Sequence, residues 1–337
     1  DIAWLLNIRG GDIQSVPVVL SYLVLTRDQC IWFLQEEVVD DTIRAYLKEN
    51  HIETRPYDDI YTYVSTIPES AVVLMNKSSV NYRICSELNK NIQVINKPNP
   101  TELMKAVKNP VEVDNTRLAH VKDGVAVTKF MYWLKTNIGK IPMTEISASD
   151  YLEARRREQE NFIDLSFTTI SAYGANAAMM HYSATPESNT ELKPEGFLLV
   201  DSGGHYYEGT TDGTRTISLG ETTEAEREHF TLSVISMLRL AAVKFLYGCR
   251  GLTLDYVARE PLWSRGLNFD HGTGHGVGYL LNVHERPNGI RWRMVPERQD
   301  NCVLEEGMVT SDEPGVYIEG SHGVRTENLI VCKKAEK

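Results

Sequence analysis

From residue 1 to about residue 106, short apolar runs alternate with amphipathic stretches. VPVVLSYLVLT, CIWFL, AVVLM and IQVI have the length of strands, while VDDTIRAYLKEN carries helical spacing. That alternation predicts an α/β sheet domain. Three prolines in NKPNPTELMKAVKNP, residues 96–110, mark a break, and the domains are set at 1–107 and 108–337. Beyond it, DNTRLAHVKDGVAVTKFMYWLK and SASDYLEARRREQENF predict helices, FLLV at 197–200 a buried strand, and RTISL an alternating one. The following helix shows Thr223 and Glu226 at capping-box spacing, apolar residues at Phe230, Val234, Leu238 and Ala241, and Gly248 as its stop. More helix leads to a second strand-rich segment. Helices followed by strands thus occur twice, an echo of architecture without any visible repeat of residues.

Composition changes this picture little. The 337 residues are 42% hydrophobic and 24% charged, ordinary for a folded chain with room for two domains. A formal net charge of -11 argues against nucleic acid as a partner, because affinity for polyphosphate comes from Lys and Arg. Cys30, Cys85, Cys249, Cys302 and Cys332 are odd in number, scattered and never spaced as CxxC, which argues against a disulfide framework or a thiolate zinc site. A reducing, cytoplasmic setting is expected. No apolar run approaches the roughly 18 to 20 residues of a membrane span, and no signal-peptide pattern opens the chain, so no membrane partner is expected. The abrupt start at Asp1 and the polar stop KKAEK suggest ends cut from something longer.

Candidate chemistry lies in the charge-poor stretch DSGGHYYEGTTDGTRT, residues 201–216. If its strands fold back around Tyr206 and Tyr207, Asp201 and Asp212 face each other, and like charges at about 4.5 to 5.5 Å repel. Something positive should lie between them. In TSDEPGVYIEGSHGVRTENLIV, a turn at Gly320 puts Glu313 and Glu327 at equal distances on two facing strands. Between these pairs lies HGTGHGVG, whose glycines disfavour a continuous helix through His271 and His275 and let the backbone pass close to an ion. Four carboxylates and one imidazole suit Mn²⁺, or Co²⁺ and Zn²⁺. Two such ions about 3.5 to 4 Å apart would neutralise the cluster and position a bridging hydroxide. Taken singly, each residue is ordinary: an Asp in a DSG turn is commonly hydrogen-bonded structure, a Glu after a strand is solvated surface, and a histidine packs. The joint pattern decides for a metal centre. His284 and Glu285 do not make an HExxH zinc motif, because Asn288 stands four residues on and Pro287 intervenes.

DSGGHYYEGTTDGTRT, HGTGHGVGYLLNVHE, TSDEPGVYIEGSHGVRTEN and TISAYGANAAMMHY resemble, in order and spacing, the motifs of the Xaa-Pro aminopeptidase (aminopeptidase P) family. This is one of the pita-bread metallopeptidases, together with prolidase and methionine aminopeptidase, and DIAWLLNIRG resembles the start of the middle domain of its long, three-domain form. The resemblance implies a creatinase-like α/β domain followed by a pita-bread catalytic domain of two pseudo-symmetric halves with a curved antiparallel sheet. It implies Asp201, Asp212, His275, Glu313 and Glu327 as ligands, with Asp212 and Glu327 bridging and Glu313 serving also as general base. His181 would line the substrate site, His284 would stand at the scissile bond, and His271 and Arg325 would be outer members. The implied substrates are peptides with proline in second position, cleaved at the N-terminal Xaa-Pro bond. The full-length form would be a homodimer, and its N-terminal domain and a short segment after the last ligand strand are absent here. Arg286 departs from the pattern, where a small residue is expected. Prolidase, acting on dipeptides, is the competing activity, and a non-catalytic binding module is opposed by the complete ligand set.

Overall fold

The computed structural model describes residues 1–335; the last two residues of KKAEK lie outside that range. The chain divides into two compact units, Asp1–Lys105 and Ala106–Lys337.

In the first unit, β1 (Tyr22–Leu25), β2 (Cys30–Leu34) and β3 (Ile52–Pro56) form one sheet, with β1 antiparallel and β3 parallel to β2. A second parallel pair joins β4 (Val72–Met75) to β5 (Gln93–Asn96). The unbroken apolar run of β2 has a simple cause: both its faces are covered. Ile31 and Phe33 pack with Ile60, Val64 and Ile84, whereas Trp32 and Leu34 pack with Leu6, Val39 and Leu47. The helices are α1 (Ile2–Leu6), α2 (Asp41–Glu49), α3 (Asp59–Ser65), α4 (Tyr82–Glu87) and α5 (Pro100–Ala106).

The second unit repeats one order. Helices α6 (Pro110–Asn137) and α7 (Glu145–Arg157) precede β6 (Phe162–Leu165), β7 (Ile170–Tyr173), β8 (Phe197–Ser202), β9 (Gly204–Tyr206), β10 (Gly209–Thr210) and β11 (Gly213–Ser218). Helices α8 (Glu224–Ala241) and α9 (Gly251–Trp263) precede β12 (Gly274–Gly276), β13 (Glu285–Ile290), β14 (Val309–Asp312), β15 (Gly315–Ile318), β16 (His322–Arg325) and β17 (Asn328–Val331). Capping boxes start α6 at Asn109 and Glu112, α7 at Thr144 and Ser147, and α8 at Thr223 and Glu226. Gly248 does not stop α8, which ends at Ala241; with φ 98° it serves a later turn. Phe130, Leu134, Leu152, Leu198, Val200 and Ile217 join α6, α7, β8 and β11 in one core, each such burial stabilising by about 1.5–3 kcal/mol.

All strand pairs of this unit are antiparallel, and the ladder is broken into separate pieces. The breaks matter. Asp212 falls between β10 and β11, Glu313 between β14 and β15, and Glu327 between β16 and β17. Around Gly320 the register follows the sequence reading: Asp312 pairs with Asn328 and Gly315 with Arg325, leaving Glu313 and Glu327 equidistant from the turn.

The first hairpin differs from its expected register. Asp201 pairs with Thr214, and Tyr206 with Gly209, so the turn residues are Tyr207 and Glu208. The two tyrosines decide this. Tyr206 is fully buried and donates to Asp123 Oδ1 at 2.9 Å, while Tyr207 is 67% exposed, and Gly209 takes φ 147°, which suits a residue without Cβ. The slip is two partners, so Asp212 becomes a diagonal rather than a direct neighbour of Asp201.

At Gly274, a Cβ would stand 1.8 Å from the Ser311 carbonyl oxygen, because β12 crosses β14 closely just before His275. Gly274→Ala should therefore cost about 1–3 kcal/mol or more through forced backbone movement, read as a lower urea midpoint. An unchanged midpoint would contradict this packing.

Candidate metal centre

Strand β8 is buried along its whole length and delivers Asp201 to the floor of a cleft of about 720 Å³. All nine residues singled out in the sequence line that cleft: His181, Asp201, Asp212, His271, His275, His284, Glu313, Arg325 and Glu327. At its centre, ligand atoms of Asp212, His275 and Glu327 all lie within 4.8 Å of one another. His275 Nε2 stands 3.4 Å from Asp212 Oδ2 and 3.5 Å from Glu313 Oε1. With its Nδ1–H donating to the Gly276 carbonyl at 3.0 Å, the His275 ring turns Nε2 to the carboxylates, the nitrogen that a metal would take.

The surrounding groups orient this cluster. Arg325 Nη2 donates to Asp201 Oδ2 at 2.6 Å, while Asp201 Oδ1 is buried with no hydrogen-bond partner among the described residues. Thr214 Oγ1 donates to Glu327 Oε2 at 2.7 Å. Ser311 Oγ accepts from the His275 N–H at 2.9 Å and donates to Glu313 Oε1 at 3.0 Å. The Tyr317 hydroxyl bonds His271 Nε2 and accepts from Arg325 Nη1, both at 2.8 Å. The His284 ring centroid is 4.4 Å from that of His275, and His181 lies exposed on the cleft wall. Thr214, Ser311 and Tyr317 escaped the sequence reading. Each is polar in a short strand or beside one, a signal too common to single out.

Electrostatics shows what the cluster lacks. Burial, then the neighbouring carboxylates Asp212 and Asp201, push Glu313 up to about 7 against the help of His275 and Arg325. Burial and the same two aspartates raise Glu327 well above the carboxylate range, and burial raises Asp212. Burial opposes the charged His275, yet Asp212 and Glu313 push it up to about 9. Burial lowers His271 to about 3, with Arg325 adding to it, and burial with His275 lowers His284 to about 4. Buried carboxyls that prefer a proton, and a buried oxygen without a partner, fit a site completed by cations.

Residues 114–334 match the model of metallopeptidase family M24, and residues 1–112 that of the creatinase/prolidase N-terminal domain. The chain belongs to metallopeptidase family M24, with a creatinase-like N-terminal unit and a pita-bread second unit. It is 38% identical to a probable Xaa-Pro aminopeptidase P of Metarhizium acridum, over 100% of this chain and 56% of that protein. It is 35% identical to aminopeptidase P1 of Arabidopsis thaliana, over 100% of this chain and 59% of that one. The crystal structure of an X-prolyl aminopeptidase from Caenorhabditis elegans, described as a cytosolic enzyme with a di-nuclear active site, superposes with TM-score 0.92 at 34% identity, covering 97% of this chain and 54% of that one. The chain thus spans little more than half the length of these relatives.

The shifts carry a consequence for pH. Glu313, Asp312 and His275 hold protons in the folded chain up to about 7, 8 and 9, above the roughly 4 and 6.5 of unfolded carboxyls and imidazoles. Between about pH 6.5 and 9 the folded state therefore binds more protons, and stability falls as pH rises. His271 and His284, lowered to about 3 and 4, work in the opposite sense only below about pH 6.5. A chelator-treated sample should show its thermal midpoint falling across pH 6.5–9, and divalent metal should suppress the fall. A midpoint that rises over that range would refute this balance.

Proposed function

We propose that this chain carries the catalytic centre of a dinuclear metalloaminopeptidase that releases the N-terminal residue from peptides with proline in second position. The observation that carries the reading is the buried convergence of Asp212, His275 and Glu327 with Glu313 and Asp201 at one cleft floor. The likeness to aminopeptidases named for Xaa-Pro substrates supports the specificity. Among the described residues no helix is long and apolar enough to cross a membrane. The description of the Caenorhabditis elegans enzyme as cytosolic supports our reading of a cytoplasmic protein.

Asp201, Asp212, His275, Glu313 and Glu327 would hold two divalent ions. Mn²⁺ is the choice we favour, given the oxygen-rich set. When bound, the ions would supply Lewis acidity and lower the pKa of water. Glu313 is suited to accept the water proton at its Oε atoms, because Ser311 Oγ holds its Oε1 at 3.0 Å beside His275 Nε2. His284, neutral at physiological pH because burial and His275 hold it near 4, keeps one N–H to donate to the oxyanion that develops on the scissile carbonyl. Arg325 holds Asp201 and, through Tyr317, the ring of His271, as outer members of the site. A tertiary Xaa-Pro amide has no N–H for a general peptidase to bind, so a dedicated site of this kind is required.

Two substitutions separate ligand from catalyst. Asp212→Ala should remove most bound metal and most hydrolysis of an Xaa-Pro-Pro tripeptide, measured by elemental analysis and assay; near-normal activity would sink the two-metal reading. His284→Ala should lower kcat by about 10² or more while two ions per chain remain, as for loss of an oxyanion or acid-base group. Loss of metal from that variant would mean that His284 is a ligand instead. Hydrolysis confined to dipeptides would favour prolidase chemistry.

A further inference from the structure

Arg259 is among the largest fully buried side chains of the protein, and nothing in the metal chemistry uses it. It lies on α9 four residues after Asp255, and both side chains are 0% exposed. Arg259 Nε donates to Asp255 Oδ2 at 2.6 Å. Its Nη1 donates to the Phe269 carbonyl at 2.6 Å and to Asn268 Oδ1 at 3.0 Å, and its Nη2 to the His271 carbonyl at 2.9 Å. The guanidinium carbon stands 3.8 Å from the Phe269 ring centroid. On the other side, Asp255 Oδ1 accepts from Thr273 Oγ1 at 2.6 Å, and the Thr273 carbonyl accepts the Glu313 N–H at 2.9 Å.

A buried ion pair is a poor device for stability, since desolvation offsets its attraction and an apolar pair of similar volume holds a helix as well. Burial pushes Asp255 up and Arg259 down, each against its partner's charge. What an apolar pair cannot do is bind several acceptors in a rigid fork. Residues 268–273 belong to no helix or strand, yet they end at β12, which carries His275, and they carry His271. Their backbone is held at Phe269 and His271 by Arg259, and the Thr273 side chain is held by Asp255.

We propose that Asp255, Arg259 and Thr273 form a buried anchor that positions His271, His275 and Glu313, so that these residues set catalytic geometry without touching substrate. The inference rests on the reading of the cleft as a dinuclear hydrolytic centre. Thr273 is its most accessible point for a test: Thr273→Val keeps the volume and the backbone carbonyl and removes only the hydroxyl to Asp255, whereas Thr273→Ser keeps that hydroxyl. Arg259→Met tests the same anchor but leaves Asp255 buried and unpaired, so it risks failing to fold.

The test uses the complete protein loaded with Co²⁺, whose visible d–d spectrum reports ligand geometry independently of turnover. Thr273→Val should retain two Co²⁺ per chain and show an altered spectrum. On an Xaa-Pro-Pro tripeptide its kcat should fall about 10- to 100-fold, the scale of a misplacement near 1 Å, with KM within about 3-fold. Thr273→Ser should restore both spectrum and kcat. The anchor is overturned if Thr273→Val leaves spectrum and kcat unchanged, if Ser fails as Val does, or if activity is lost only in proportion to an unfolded fraction. If the unsubstituted protein itself binds no Co²⁺ or cleaves no Xaa-Pro bond, the reading of the cleft fails instead, and the inference with it.

Discussion

Like-charge repulsion among carboxylates held out of water is the constraint around which the second unit is organised. Asp201, Asp212 and Glu327 are each less than one-tenth exposed, and Glu313 joins them at the same cleft floor. Arg325 and His275 offer positive partners within the cluster, yet burial with mutual repulsion drives three of the four carboxyls towards protonation. A chain can hold such a set only where packing fixes the backbone from behind and cations complete it in front. The interruptions of the antiparallel ladder fall at Asp212, Glu313 and Glu327, three of the residues that line the cleft.

The backing is provided twice, once in each half. Behind Asp201, the buried Arg156 of α7 bonds both oxygens of Asp123 on α6, at 2.7 and 2.9 Å, and reaches Ser202 Oγ at 3.0 Å. Behind His275, the Asp255 and Arg259 pair of α9 holds the entry to β12. Each helix layer therefore meets the strands through a guanidinium and a carboxylate as well as through apolar packing. The two pairs differ in sequence spacing, one spanning two helices and the other one turn, so the correspondence is one of placement and not of residues.

Much of this was legible in the sequence because carboxylates stand out in charge-poor, glycine-rich strands. The ligand candidates needed only the strand runs FLLV and RTISL, the turn at Gly320 and the glycines of HGTGHGVG. The register of the first hairpin was not legible, because YY offers two equal choices and only the burial of Tyr206 against Asp123 separates them. Nor was Arg156, which sits in the run EARRREQE beside the exposed Arg157 and reads as part of a solvated face; its burial depends on an aspartate 33 positions earlier. Asp255 and Arg259 show the helical spacing of an ordinary surface ion pair. Their environment, and not their pattern, makes them interior.

The contact between Thr214 and Glu327 joins residues 113 positions apart and is reinforced by the Glu327 N–H to the Thr214 carbonyl and by Arg215 to the Glu327 carbonyl. Such a contact cannot form until residue 327 has been made and both halves of the second unit have collapsed, since closing so large a loop comes before any contact rewards it. A nascent chain that has produced only the first half holds two of the five candidate ligands, too few to retain an ion. The order of synthesis thus sets the order of assembly: the candidate ligand set closes only once the residues after β16 have been made.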